Sequence, residues 1–214
     1  MQAKTKSGTG KHSGTKPTLP EMIALTGIRR EGFEFMLRYL RQCQQPRIIE
    51  TGCARKEADF SGDGASTLIF DAIAEELNGS VLSVDINPEA VAEAQHQVGP
   101  RTTVHCGDSV AWLARARRKV DLLYLDSFDF ELATLWASMS HHMQELAAGF
   151  HLLKPGALVA VDDNVTSLFG SIGKGAVVGQ FFARIGIPQV FDGYQRIWQV
   201  PGGSHAATET RIIP

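Results

Sequence analysis

From residue 46 onward, short apolar runs alternate with amphipathic stretches, and this alternation predicts most of the elements. Runs at 47–50, 81–85, 102–106, 122–126 and 157–162 are bounded by polar or turn residues and have the length of buried strands. Apolar residues at helical spacing predict helices over 66–77, 88–98, 109–118, 132–153 and 176–185. Two final strands, 189–191 and 195–200, are separated by Asp192-Gly193, a turn pair that allows a hairpin, so one of them runs antiparallel to the rest. Strands alternating with helices at this spacing imply right-handed crossovers. The expected fold is α/β: a doubly wound, Rossmann-like sheet of seven mostly parallel strands with a C-terminal antiparallel hairpin.

Upstream, Phe33, Phe35, Met36, Leu37, Tyr39 and Leu40 recur at helical spacing and predict one amphipathic helix over 21–45, ended by Pro46. Residues 1–20 carry Lys4, Lys6, Lys11 and Lys16 among Gly, Ser and Thr, with almost nothing to bury, and read as a disordered basic tail. The remainder, 21–214, has the length of one domain: the helix over 21–45, a half over 46–126, and a second half over 127–214.

Composition changes this picture little. A formal net charge of -2 exerts no general pull toward nucleic acid or anionic membrane, and no apolar run reaches the length of a membrane span. Cys43, Cys53 and Cys106 are odd in number and far apart, which suits a reducing compartment, so a cytoplasmic location is expected. A small-molecule partner is expected, and a homodimer stays open.

The candidate chemistry lies at the strand ends. In open α/β sheets ligands bind beyond the carboxyl ends of the strands, and here those ends are acidic: Glu50, Asp85, Asp126 and Asp162-Asp163, with Asp108 just past the strand that ends at Cys106. After Glu50 come Gly52, the segment Cys53 to Asp63, and then Gly64-Ala65-Ser66-Thr67, where Ser66 is a good helix cap. This is not the tight dinucleotide glycine turn; an acid at the first strand end suits a ligand bearing an ammonium group. Asp85 follows Gly64 by about 20 residues, the spacing of an acid that accepts from ribose hydroxyls.

Five pieces in order, Ile48-Ile49-Glu50-Thr51-Gly52, Val84-Asp85-Ile86-Asn87, Cys106-Gly107-Asp108-Ser109, Val120 to Asp126, and Leu153 to Val159, resemble the class I S-adenosylmethionine-dependent methyltransferases over about residues 47–200. The resemblance implies that Glu50 and Gly52 hold the methionyl part of the cofactor, Asp85 the ribose and Asp108 the adenine amino group, with Ser109 adjacent. Cys53, Gly64, Ser66, Thr67, Ile86 and Asp126 complete the expected cofactor contacts. The family usually closes the glycine turn within a few residues, so 55–63 reads as an insertion, either a lid or a longer surface loop.

On the acceptor side, Asp126 and Asp162-Asp163-Asn164 end neighbouring strands, an oxygen-rich group suited to Mg²⁺ or another hard cation, or else a plain turn. Here the chain looks like the metal-dependent O-methyltransferases of the catechol and macrolide-sugar types. Matched on the Asp-Asn-Val string, Asp126, Asp163 and Asn164 become the metal ligands. The catechol-type catalytic lysine shortly after Asp126 is missing from Ser127-Phe128-Asp129-Phe130. A histidine base is the other route, His142 before His141, with Asp126 as a third catalytic candidate. The span 166–178, with Gly170, Gly173, Lys174 and Gly175, reads as a glycine-rich loop bordering the acceptor, Lys174 either meeting an acidic substrate group or lying in solvent. The expected activity is methylation of a small-molecule hydroxyl. The rivals are another reaction of the same cofactor, such as cyclisation or aminopropyl transfer, a NAD-dependent oxidoreductase, and a non-catalytic domain on the same fold.

Overall fold

The computed structural model describes residues 17–56, 60, 65–167 and 170–202. The chain over 1–16, Gly64 and most of the 55–63 insertion, over which a tail, a cofactor contact and a lid are expected, lie outside the described residues.

The strands are β1 (Arg47–Thr51), β2 (Ser80–Asp85), β3 (Thr102–Cys106), β4 (Val120–Leu125), β5 (Leu153–Val161), β6 (Asn164–Ser167), β7 (Gly170–Gly173), β8 (Gln189–Asp192) and β9 (Arg196–Gln199). The helices are α1 (Leu19–Leu25), α2 (Arg30–Leu40), α3 (Ala65–Glu76), α4 (Pro88–Gln97), α5 (Ser109–Arg115), α6 (Leu135–Gly149) and α7 (Ala176–Arg184). Seven strands form one sheet in the order β3-β2-β1-β4-β5-β9-β8. Within it β3, β2, β1, β4 and β5 run parallel, and β9 is antiparallel to both β5 and β8. The doubly wound sheet and its C-terminal hairpin are therefore as the periodicity predicts.

Alternation along each strand divides the core in two. Ile48, Leu122, Tyr124, Leu158, Ala160 and Ile197 face α1, α2 and α3, packing on Met22, Phe33, Met36, Ile69 and Phe70. Their neighbours Ile49, Leu123, Leu125, Val159, Val161 and Trp198 face α5, α6 and α7, packing on Leu113, Leu146, Val178 and Phe182. Burial on both faces is why these strands are apolar throughout rather than alternating. Thr51 lies beside Leu125, and Leu125 beside Val161, so the carboxyl ends of β1, β4 and β5 finish level.

Three expectations need correction. The single helix over 21–45 is two, α1 and α2, separated by a 3₁₀ turn at Gly27–Arg29, and α1 begins at Leu19, inside the expected tail. Thr18 and Glu21 form a capping box there, and Leu19, Met22 and Ile23 are buried, so this stretch has both a start signal and a face to bury. Ser66 is the second residue of α3, not its cap. The expected loop over 166–178 contains β7, which pairs with β6 as a separate antiparallel hairpin and leads into α7.

Gly52 closes the turn after β1 at φ +84°, and a Cβ there would lie 2.7 Å from the Asp126 carbonyl oxygen. Backbone and space both exclude a side chain. Gly52→Ala should lose about 1–3 kcal/mol of stability from the left-handed backbone alone, with the clash adding to it; equilibrium urea unfolding measures the change.

Candidate active site

Glu50 is wholly buried at the end of β1, where its Oε2 accepts from Thr67 Oγ1 at 2.7 Å and Ser83 Oγ at 2.6 Å. Its Oε1 has no hydrogen-bond partner. Burial pushes its pKa up to about 7 against the pull of the surrounding hydroxyls. Thr67 also accepts from the Ala54 amide at 2.9 Å, so Glu50, Thr67 and Ser83 tie the glycine turn to α3 and β2.

Asp85 ends β2, accepting from the Cys53 amide on Oδ2 at 3.1 Å and from the Asn87 amide on Oδ1 at 2.8 Å. Each oxygen keeps a further lone pair. Cys53 and Ser66 are buried, whereas Ile86 stands 72% exposed at the mouth of the next turn. Asp108 caps α5, its Oδ1 accepting from the Ala111 amide at 2.7 Å.

Beneath these turns lies a group that the residue spacing did not single out. Glu145, fully buried on α6, accepts from Ser109 Oγ at 2.5 Å and Ser127 Oγ at 2.6 Å through Oε1, and from Thr51 Oγ1 at 3.1 Å through Oε2. His141 Nε2 is 3.3 Å away. One carboxylate thus joins the ends of β1 and β4 to the start of α5. Burial opposes its charge, yet His141 and the hydroxyls hold its pKa below the usual carboxylate range. The bond to Glu145 in turn raises the pKa of half-buried His141. The readable signal was an acid on the apolar face of α6, one turn past His141.

His142 is completely buried, with Nδ1 2.7 Å from the Ser138 carbonyl, which fixes Nδ1 as the donor and leaves Nε2 an acceptor with no partner. Burial lowers its pKa to about 4, outweighing Glu145, so the ring is neutral.

At the ends of β4 and β5 the expected metal ligands come close, in an arrangement of another kind. Lys174, in the turn between β7 and α7, is buried and bonds Asp126 Oδ1 and, at 2.8 Å, Asp163 Oδ2. Arg29 takes Asp163 Oδ1 and Asp162 Oδ2, both at 2.8 Å, and lies over the Tyr194 ring. Tyr124 donates to Asp162 at 2.7 Å and Gln195 to Tyr124 at 2.8 Å. Burial works against ionisation of Asp163, but Lys174, Tyr194 and Arg29 hold its carboxyl below the usual range. The charges of Asp126 and Asp163 likewise keep Lys174 an ammonium against its burial.

Asn164 is a strut. Its Nδ2 donates to the Val161 and Asp162 carbonyls at 2.8 and 3.0 Å, and its Oδ1 accepts from the Gly175 amide at 2.9 Å. The turn carrying Lys174 can press this close because Gly173, at φ +142°, has no Cβ to meet the Asp163 carbonyl, which would be only 2.5 Å away. Asp126, Asp163 and Asn164 as placed do not fit a divalent cation: the carboxylates meet on a lysine ammonium and the amide oxygen is spent. Among the described residues, no three His, Cys, Asp or Glu side chains converge on a metal position. Lys174 is accordingly neither a solvated lysine nor free to meet an acidic substrate group.

A cavity of about 490 Å³ opens at the other edge of the sheet, lined by Arg47, Arg101, Trp112, Arg117 and Arg118. It lies at the amino ends of β1, β2 and β4, away from the acids. No described helix is long and apolar enough to cross a membrane.

Residues 61–164, just short of half the chain, match a family described as a methyltransferase domain. None of the curated proteins matches the sequence. Among solved structures, the fold is similar to the MycE methyltransferase of the mycinamycin biosynthetic pathway with Mg and SAH (TM-score 0.61, 18% identity, covering 92% of this chain and 58% of that one). It is also similar to the SAH-bound methyltransferase PaMTH1 of Podospora anserina (0.56, 17%, 91% and 92%). A third similar structure is the N-methyltransferase NodS of Bradyrhizobium japonicum WM9 (0.55, 14%, 81% and 97%). The chain thus spans little more than half the length of MycE.

Glu145→Gln keeps the shape and removes the charge, so the His141 pKa should fall toward the free value of about 6.5; an imidazole NMR titration unchanged by the substitution would separate the two residues. His142 sets a pH dependence. It stays neutral in the folded chain down to about pH 4 but protonates near 6.5 when unfolded, so its contribution is intact above about 6.5 and lost as pH falls toward 4. Glu50, raised to about 7, works in the opposite sense over nearly the same window, favouring the folded state at low pH. Urea midpoints for wild type and His142→Asn therefore separate the two: on going from pH 7 to pH 5 the variant, left with the Glu50 contribution, should gain stability relative to wild type.

Proposed function

We propose that the chain is an S-adenosylmethionine-dependent methyltransferase that methylates a hydroxyl of a small molecule, with His142 receiving the hydroxyl proton. The observation that carries this is the His142 ring itself. Its Nδ1–H is fixed on the Ser138 carbonyl, and its Nε2 lone pair is buried without a donor. A buried acceptor without a donor costs on the order of 1–3 kcal/mol, and a substrate O–H beside it would supply that donor. The low pKa keeps this nitrogen unprotonated at neutral pH and able to take a proton. His141, already bonded to Glu145, is the positioning neighbour.

The residues of the first half fit the cofactor. Asp85 retains lone pairs for two ribose hydroxyls, exposed Ile86 offers an apolar surface beside them, and Asp108 with Ser109 lies at the next turn, where the adenine amino group is expected. Gly52 lets the backbone pass close to the methionyl part, and Glu50 Oε1 is the one oxygen of that carboxylate left open there. When bound, the cofactor supplies a methyl group activated by its sulfonium. The protein's share is to hold the acceptor in line and to remove its proton. The small-molecule assignment also has support from MycE, a structure of which contains mycinamycin VI.

Calorimetry should show S-adenosylmethionine binding to the wild type and binding at least about tenfold weaker in Asp85→Ala, the order of one lost charged hydrogen-bond pair. Mass spectrometry of reactions with panels of hydroxylated and aminated small molecules then tests the acceptor. A gain of one methyl on a hydroxyl, with the rate falling in His142→Asn and its pH profile changed, is the expected result. Methylation confined to amines would refute the hydroxyl assignment.

A further inference from the structure

We infer that Lys174 is a built-in cation, standing at the ends of β4 and β5 in place of a divalent metal. This lysine lies on the acceptor side of the site proposed above, but its role as counter-charge holds whatever the acceptor is.

The oxygens that a metal would need are already taken. Asp126 Oδ1 and Asp163 Oδ2 converge on Lys174 Nζ, Asp163 Oδ1 and Asp162 Oδ2 are held by Arg29, Asp162 Oδ1 accepts from the Asp163 amide at 2.9 Å, and Asn164 Oδ1 accepts from Gly175. Hard divalent cations need about six oxygen ligands, and this set leaves Asp126 Oδ2 as the carboxylate oxygen without such a bond. Displacing the lysine is also hindered by its seat. The side chain is only 2% exposed, and the turn that carries it lies against Asp163 and Asn164 at Gly173 and Gly175, where a Cβ would come within 2.5 and 2.7 Å of their atoms.

An ammonium has three N–H donors, and two are given to the carboxylates. The fixed positive charge at this edge is the one that a divalent metal supplies in other sites.

Electron paramagnetic resonance of Mn²⁺, titrated into the full chain, reads the cation site without reference to turnover. Wild type should show only weak, unsaturated binding. Lys174→Met should uncover Asp126 and Asp163 and bind Mn²⁺ at least about tenfold more tightly, an increase abolished by adding Asp126→Asn. Wild-type activity should survive chelation. Tight Mn²⁺ binding by wild type, or activity lost on chelation and restored by Mg²⁺, would overturn the inference. If Lys174→Met does not fold, shown by loss of its thermal transition, the wild-type titration decides alone. Cofactor calorimetry on the same preparation separates failure here from failure of the methyltransferase reading, since neither result depends on the other.

Discussion

Burying carboxylates at one edge of a sheet is the constraint to which the rest of this molecule answers. Asp126, Asp162 and Asp163 lie within the crowded ends of β4 and β5, where unpaired charge is costly. Two cations balance them, and they come from distant parts of the chain: Arg29 precedes the sheet and Lys174 follows its fifth strand. The break between α1 and α2 sets Arg29 on a short 3₁₀ turn, and the hairpin β6–β7 sets Lys174 opposite. Both features look incidental in a topology diagram. Each exists where the acids need a partner.

Glu145 answers the same constraint on the neighbouring strands by another means. It has hydroxyls and an imidazole about it rather than a permanent cation. His142, buried on the same helix, has its Nδ1 held by the Ser138 carbonyl. A ring so enclosed keeps a single tautomer, which is the preorganisation that proton transfer requires.

The legible part of the molecule was the part governed by repetition. Apolar runs of strand length and helical periodicity between them led to the seven-stranded sheet and its C-terminal hairpin, and the acids expected at the strand ends do lie at its carboxyl edge. What escaped depends on tertiary approach. Residues 170–173 are glycine-rich and lack an alternating pattern, yet pair as β7. Asp126, Asp163 and Asn164 read as oxygen ligands because spacing reports which groups meet, not what already lies between them. Glu145 and Lys174 are charged residues in buried places, and only the packed structure shows why they are tolerated. The start of α1 is different: Thr18 and Glu21 carried a capping-box signal, and the basic composition of the preceding residues obscured it.

A lysine joined to the chain by its own backbone is not subject to exchange. Protein sites that rely on free divalent ions face competition from whichever metal binds such ligands most strongly, and selectivity then depends on what the surroundings supply. Lys174 arrives with the polypeptide at a fixed ratio of one per site. Its place in the turn between β7 and α7 makes the charge balance of this edge a property of folding, independent of the supply of any metal.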